Sequence, residues 1–277
     1  MWRTDRSVTG QSPLKDKEEL GRLLGTWIRL NPTKLLDVSV RECDRTFAWL
    51  DLDGDGAIEE ICLRTDENAQ YFYDTPFDAY QLEVGDSMLT DFQEVQANGI
   101  YAFCPDGKEI FLVLYSDGPS GDPESKFYAY REGKLQETGM VCFDVRAAEF
   151  KEDGMFSGML RNDTIQTDWI RVTWRVGENG SIEQIPQETY EYIPSVETGE
   201  NKLTLLVELE ARTKAGGGEV VVLQPQEIDF SRVNADFTWI EITAKDGTKG
   251  WIELEALNKK YPDHFLEDVF ANRNFAG

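Results

Sequence analysis

The sequence predicts a mainly β fold, and two observations carry that prediction. From Val38 onward, short runs rich in aromatic and β-branched residues alternate with clusters of Gly, Asp and Asn. Each run has the length of a strand and is bounded by turn chemistry such as DGDG, PDG, REG and GENG. Helical periodicity is clearest in KDKEELGRLL (15–24), where Leu20, Leu23 and Leu24 recur at helical spacing among charges.

Taken in order, the helix comes first. The strand candidates FAWLDL, EEICLRT, QYFYDT, GIYAFC, EIFLVLYS, KFYAYRE, DWIRVTWRV and SIEQIPQETYEYI follow it. PSVETGENK (194–202) is polar and carries Pro and Gly, so a domain boundary is expected there. Beyond it LTLLVELEA, GEVVVLQPQ, FTWIEITA and KGWIELEAL make a second group the size of a small barrel. Asp246 and Gly247 between two alternating runs predict a hairpin. The expected organisation is a helical or extended segment over 1–35, a β domain over 36–195, and a small barrel with a tail over 201–277. Asp-Gly also recurs at 55/56, 106/107 and 153/154, which fits hairpin repeats or chance recurrence of a common turn dipeptide.

Charge and composition exclude several classes of function. The 277 residues carry 52 Asp and Glu against 28 Lys and Arg, a net charge of −24 spread along the chain. A phosphate backbone would be repelled, so nucleic acid is not an expected partner. Apolar runs fall short of the roughly 18 residues of a membrane span. MWRTDRSVTGQS lacks the apolar core of a signal peptide, which implies a cytosolic protein or a trimmed chain. Cys43, Cys62, Cys104 and Cys142 have no CxxC spacing, which argues against zinc and leaves two disulfides or buried thiols open. His264 is the sole histidine, and no GxGxxG, Walker, GxSxG or HExxH motif occurs, so the expectation is a protein that is not an enzyme.

DLDGDGAIEE (51–60) is the sharpest local signal. Calcium takes six to eight oxygen ligands, and Asp51, Asp53 and Asp55 place a carboxylate at every second position while Gly54 and Gly56 allow the tight turn. The Ala57 carbonyl and the Glu59 carboxylate would complete the set. A helix-loop-helix sensor needs Glu at the twelfth position, where this chain has Cys62, so the expected role is a structural calcium staple between two strands. The bland alternative is an Asp-Gly hairpin without an ion, whose three aspartates repel unless something neutralises them. SDGPSGDPES (116–125), with Asp117, Ser120, Asp122 and Glu124, lacks this spacing and reads as an ordinary loop. Trp169 and Trp174 read as core packing in preference to a sugar platform.

With those residues in view, TFAWLDLDGDGAIEEICLRT resembles the FG-GAP and VCBS type of repeat, whose strands flank a DxDGDGxxD/E loop. EIFLVLYSDGPSGDPESKFYAYREGKLQETG looks like a second element of secreted clostridial and other Firmicute proteins of this kind. TWIEITAKDGTKGWIELEAL resembles the bacterial Src-homology-3-like barrel, with Trp239, Gly250 and Trp251 on its recurring positions, and FLEDVFANRNFAG is similar to tails of the same proteins. The resemblance implies an abbreviated propeller-like or multi-hairpin β domain, since 36–195 is too short for seven blades, followed by a small barrel. It implies calcium at Asp51, Asp53, Asp55, Ala57 and Glu59, and a groove flanked by Trp239 and Trp251. The implied job is non-catalytic binding of a cell-wall component, glycan or protein, in the extracellular space or cell envelope. An extracellular hydrolase with acidic groove residues is the alternative.

Overall fold

The structure is a computed structural model that describes residues 13–42, 45–72, 75–93, 99–116, 123–151, 153–193, 203–262 and 266–273. It is mainly β, with antiparallel sheets and, among the described residues, two α-helices. His264, Cys43, positions 117–122 and the boundary stretch 194–202 lie outside the described residues. The chain divides into two compact units, Met1–Phe156 with Trp174–Glu183, and Ser157–Thr173 with Gln184–Gly277.

The first unit opens with α1 (Pro13–Leu30), longer at both ends than its periodic stretch. Strands β1 (Leu36–Asp37), β2 (Val40–Glu42), β3 (Arg45–Leu50), β4 (Glu59–Phe72), β5 (Thr75–Val84) and β6 (Ser87–Gln93) follow. Next come β7 (Ile100–Phe103), β8 (Phe111–Ser116), β9 (Glu124–Arg131), β10 (Lys134–Val141) and the short β11 (Glu149–Phe150). The first ten form two five-stranded sheets, β2-β3-β4-β5-β6 and β1-β7-β8-β9-β10, while β11 belongs to a third sheet. Leu50, Ile61, Leu82 and Val84 from the first sheet share one core with Ile100, Ala102, Leu112 and Leu114 from the second. Within that core the Tyr80 and Tyr128 hydroxyls hydrogen-bond to each other. Every residue of β8 is buried, which explains why FLVLYS reads as a continuous apolar run without alternation. Phe103, Phe127, Phe150 and Phe156 pack ring against ring in a separate aromatic group.

Helix α1 lies close against β3 because it has glycine where the two meet. A Cβ on Gly21 would fall 2.9 Å from both the Trp49 carbonyl oxygen and Ile58 Cγ2. Leu24 and Ile28 join the core from the same helix. Lys17 Nζ sits 4.1 Å from the centroid of the Trp49 ring, and Asn31 Nδ2 donates to the Trp27 carbonyl at 2.7 Å to close the last turn.

The second unit draws on parts of β12 (Met155–Asn162), β13 (Asp168–Val176) and β14 (Ile182–Gln184), then β15 (Thr189–Ile193) and β16 (Leu203–Leu205). Strands β17 (Leu209–Lys214), β18 (Gly217–Leu223), β19 (Glu227–Asn234), β20 (Trp239–Ala244) and β21 (Lys249–Glu253) lead to α2 (Leu254–Lys260) and β22 (Phe270–Ala271). The order runs β12-β13-β15-β19-β20-β21-β17-β18, with β16 between β19 and β22. Among the described residues these strands do not close a barrel, since β18 pairs only with β17 and keeps a free edge. The hairpin expected at Asp246-Gly247 joins β20 to β21, and Gly247 has φ 88°.

Three differences from the sequence reading have local causes. SIEQIPQETYEYI is two strands, β14 and β15, because Pro186 lies between them and cannot donate to a ladder. LTLLVELEA likewise splits into β16 and β17, and KGWIELEAL ends in α2. Cys62 and Cys104 are free thiols, and both are buried. Burial pushes the Cys104 thiol up to about 11, with the Asp106 charge adding to it, so it stays protonated.

Candidate functional site

The Asp-rich loop joins two strands in register, with Leu50 opposite Glu59. Its reversal needs left-handed backbone at Gly54 (φ 82°) and Gly56 (φ 90°), which favours glycine at both places. Side-chain oxygens brace the turn from inside. Asp51 Oδ1 accepts from the Gly54 amide at 2.8 Å, Asp53 Oδ1 from Asp55 at 3.1 Å, and Asp55 Oδ1 from Ala57 at 2.6 Å. Glu59 Oε2 accepts from the Leu52 amide at 2.8 Å.

Three of the five expected ligands come together. Asp51, Asp53 and Glu59 each present a carboxylate oxygen, and all three atoms lie within 4.8 Å of one another. Asp55 is exposed and outside this cluster, and Ala57 takes part through its amide. Burial raises the Glu59 carboxyl above its ordinary value; the charges of Asp53 and Asp51 add to the rise and the Leu52 amide opposes it. The Tyr130 hydroxyl is also raised, first by burial and then by Glu59, Asp53, Asp86 and Asp55.

A partner that sequence reasoning missed comes from α1. Arg29 Nη1 stands 3.6 Å from Asp51 Oδ2, Nη2 donates to the Asp51 carbonyl at 2.6 Å, and Nε donates to the Lys108 carbonyl at 3.3 Å. Three converging carboxylates against one guanidinium leave an excess of negative charge on hard oxygen donors. That donor set suits a divalent cation such as calcium, which would draw its remaining oxygens from the backbone and water. No local pattern announces Arg29, which is 22 residues from Asp51 and meets it only through the packing of α1.

In the second unit Trp239 and Trp251 line one groove of about 210 Å³, together with Leu209, Arg212, Val220 and Lys260. Trp251 is buried, whereas Trp239 is partly exposed. Gly250 permits the close approach of β17, since a Cβ there would fall 2.5 Å from Ala211 Cβ. Beside Trp251 on the same sheet face, Arg232 holds the buried Glu241 through two bonds of 2.6 and 2.9 Å, and its guanidinium lies 5.6 Å from the Trp251 ring centroid.

A second concavity, of about 320 Å³, belongs to the first unit and was not expected from the sequence. Asp106, Glu109, Asp153 and Glu178 line it, beside Phe111. Two of the recurrent Asp-Gly turns meet here, with Gly107 at φ 74° and Gly154 at φ 76°. Its carboxylates are partly committed. Arg131 clamps Glu109 at 2.5 and 2.6 Å, Asp106 Oδ1 accepts from Lys108 and Glu109, and Asp153 Oδ1 accepts from Met155.

Among the described residues one further carboxylate is raised, in the second unit. Burial lifts Asp168 to about 6 against the pull of Gln166, whose Nε2 donates to both of its oxygens at 3.1 and 3.0 Å. Burial, and then the Asp168 charge, pushes the Tyr192 hydroxyl upward. Trp174 is half-buried, and its Nε1 is buried with no hydrogen-bond partner among the described residues.

No protein-family model matches the chain, and neither a curated protein nor a solved structure shows significant similarity to it.

Proposed function

We propose that the chain is a non-catalytic binding protein with a structural calcium site in its first unit and a ligand groove at Trp239 and Trp251 in its second. The convergence of Asp51, Asp53 and Glu59 within 4.8 Å is the observation that carries the reading. In it, calcium holds the β3–β4 loop closed, so binding free energy becomes folding free energy. Arg29 orients Asp51 and offsets part of the local charge before the ion arrives. Such a site fits the extracellular or cell-envelope setting implied by the resemblance to FG-GAP and VCBS repeats, where weaker calcium sites are filled.

The second unit supports the Src-homology-3-like part of the reading. A meander β19-β20-β21 is followed by a short helix, and β16 pairs with both β22 and β19. Partly exposed Trp239 above buried Trp251 offers an apolar face with Arg212 and Lys260 beside it, suited to a cell-wall fragment, glycan or peptide.

Thermal unfolding with and without millimolar calcium tests the metal. A rise in melting temperature that disappears in Asp53→Ala supports the proposal, and no rise sinks it. Pull-down on purified cell wall and on glycan arrays tests the groove, with Trp239→Ala as the control.

The acidic concavity gives the competing hydrolase reading a definite location. Turnover of extracellular polysaccharide that is abolished by Glu178→Gln would replace the binding reading with that one.

A further inference from the structure

The outer flank of α1 is apolar where a lone helix should be polar. Leu20, Leu23, Trp27 and Leu30 are 43, 64, 42 and 75% exposed, although Leu24 and Ile28 of the same helix serve the core. At about 100° per residue the four fall within an arc of about 80° and run about 15 Å along the axis. We propose that this stripe is the seat of a homodimer, formed by α1 packing antiparallel against α1 of a second copy of the chain.

Two arguments select a second copy. The spacing of the stripe, three, four and three residues, is a palindrome about position 25. A two-fold interface brings one patch onto itself, residue i against j and j against i, so a pattern that reads the same after reversal lets every apolar side chain of an antiparallel pair meet another. Centred at 25, an antiparallel pair sets Leu23 of one copy against Trp27 of the other and Leu20 against Leu30, so that each side chain meets an apolar partner. Area is the second argument. Four large side chains about half exposed present roughly 400 Å² of apolar surface, which at the about 65% apolar character of homodimer interfaces implies about 600 Å² per copy. That meets the lower limit of specific interfaces, about 1,200 Å² in total, and predicts a weak, concentration-dependent dimer.

Charge gives the dimer a signature. Each copy carries −24, so association proceeds against mutual repulsion. Salt shortens the reach of that repulsion from about 30 Å at 0.01 M to about 3 Å at 1 M. Self-association therefore tightens as salt rises, the opposite of what a basic partner would show.

Sedimentation of the full chain between about 1 and 200 µM, at low and high salt, tests the proposal. The expected result is a dimer with a dissociation constant on the order of 10–100 µM that tightens several-fold in high salt. Leu23→Glu and Trp27→Glu should each weaken it by about tenfold or more. A chain that stays monomeric throughout, a dimer indifferent to both substitutions, or one that loosens with salt would overturn it. Should the glutamate variants misfold, cysteine variants decide the matter in a background with Cys43 and Cys142 changed to Ser. Leu23→Cys mixed with Trp27→Cys should cross-link faster than either alone, and equal rates would overturn the antiparallel register.

Discussion

Arg29 approaches Asp51 twice, with Nη1 3.6 Å from the carboxylate and Nη2 donating to the main-chain carbonyl at 2.6 Å. One side chain from α1 thus fixes both the position and the charge of the residue that begins the acidic loop. A guanidinium so placed is a partial substitute for a metal ion. Replacing it should make the loop depend more heavily on calcium.

Arg29→Gln is expected to destabilise the calcium-free protein by about 1–2 kcal/mol, since both partners of the pair are mostly shielded from solvent. Saturating calcium should restore most of the loss, so the calcium-induced rise in melting temperature exceeds that of the wild type. Paired melts in chelator and in calcium check this. An identical deficit in both conditions would remove calcium from the account of the loop.

Acidification should release the ion. Coordinating carboxylates must be deprotonated, and the Glu59 carboxyl stands above its ordinary value. The calcium-dependent gain in stability is therefore fully present near neutral pH and fades before pH reaches the usual carboxylate range. Melts in calcium and in chelator at stepped pH would show the two curves converging; a gap that persists below pH about 4 contradicts the assignment of Glu59 as a ligand.

The two glycines of α1 should respond oppositely. Gly21→Ala drives a Cβ to 2.9 Å from the Trp49 carbonyl oxygen, a backbone atom with little freedom to move, and is expected to cost about 1–3 kcal/mol. At Gly25 the nearest atom to an added Cβ is Arg29 Nη1 at 3.4 Å, the far end of a flexible side chain. Gly25→Ala should be neutral or stabilise by up to about 1 kcal/mol through helix propensity. Urea denaturation of both variants gives the comparison.

Asp168 should make the protein less stable as pH rises through its titration. Its folded value of about 6 lies above the ordinary 3.8, so the folded state holds the proton longer and stability falls between those two values, then levels. Asp168→Asn is expected to leave stability at pH 3.5 nearly unchanged and to raise it near neutral pH by about 1–2 kcal/mol, after allowance for solvent screening. Equal effects at both ends of the range would show that the carboxylate is not desolvated as the geometry implies.

The two tryptophans of the groove should separate. Trp251→Ala removes a buried ring that Arg232 flanks and is expected to cost about 3–5 kcal/mol. Trp239→Ala should cost about 1 kcal/mol or less while abolishing ligand capture. Chemical denaturation alongside cell-wall pull-down distinguishes stability from binding.

Local chemistry was legible in the sequence, and long-range packing was not. The alternation of short apolar runs with turn residues located most strands, and Asp246-Gly247 marked its hairpin, because those signals act within a few residues. The spacing of Asp51, Asp53 and Asp55 marked the loop. Which carboxylates converge depends on the hand of the turn at Gly54 and Gly56, and that turn sends Asp55 outward while Glu59 comes in from the next strand. Arg29 has no local signature. Helix α2 hides because LEALNKK offers only Leu254 and Leu257 as periodic apolar positions, too few to distinguish it from the strand before it. Pro186 is a readable break within SIEQIPQETYEYI, since proline cannot donate to a ladder, and the two strands end on either side of it.

The chain passes between its two units three times, after Phe156, Thr173 and Glu183, and each passage lies inside a strand. During synthesis, residues 157–173, which belong to the later unit, leave the ribosome before 174–183, which complete the earlier one. The amino-terminal unit therefore cannot finish folding while it is the only part of the chain exposed. Its maturation waits on a piece of its neighbour, so the two are coupled in time from the moment of translation.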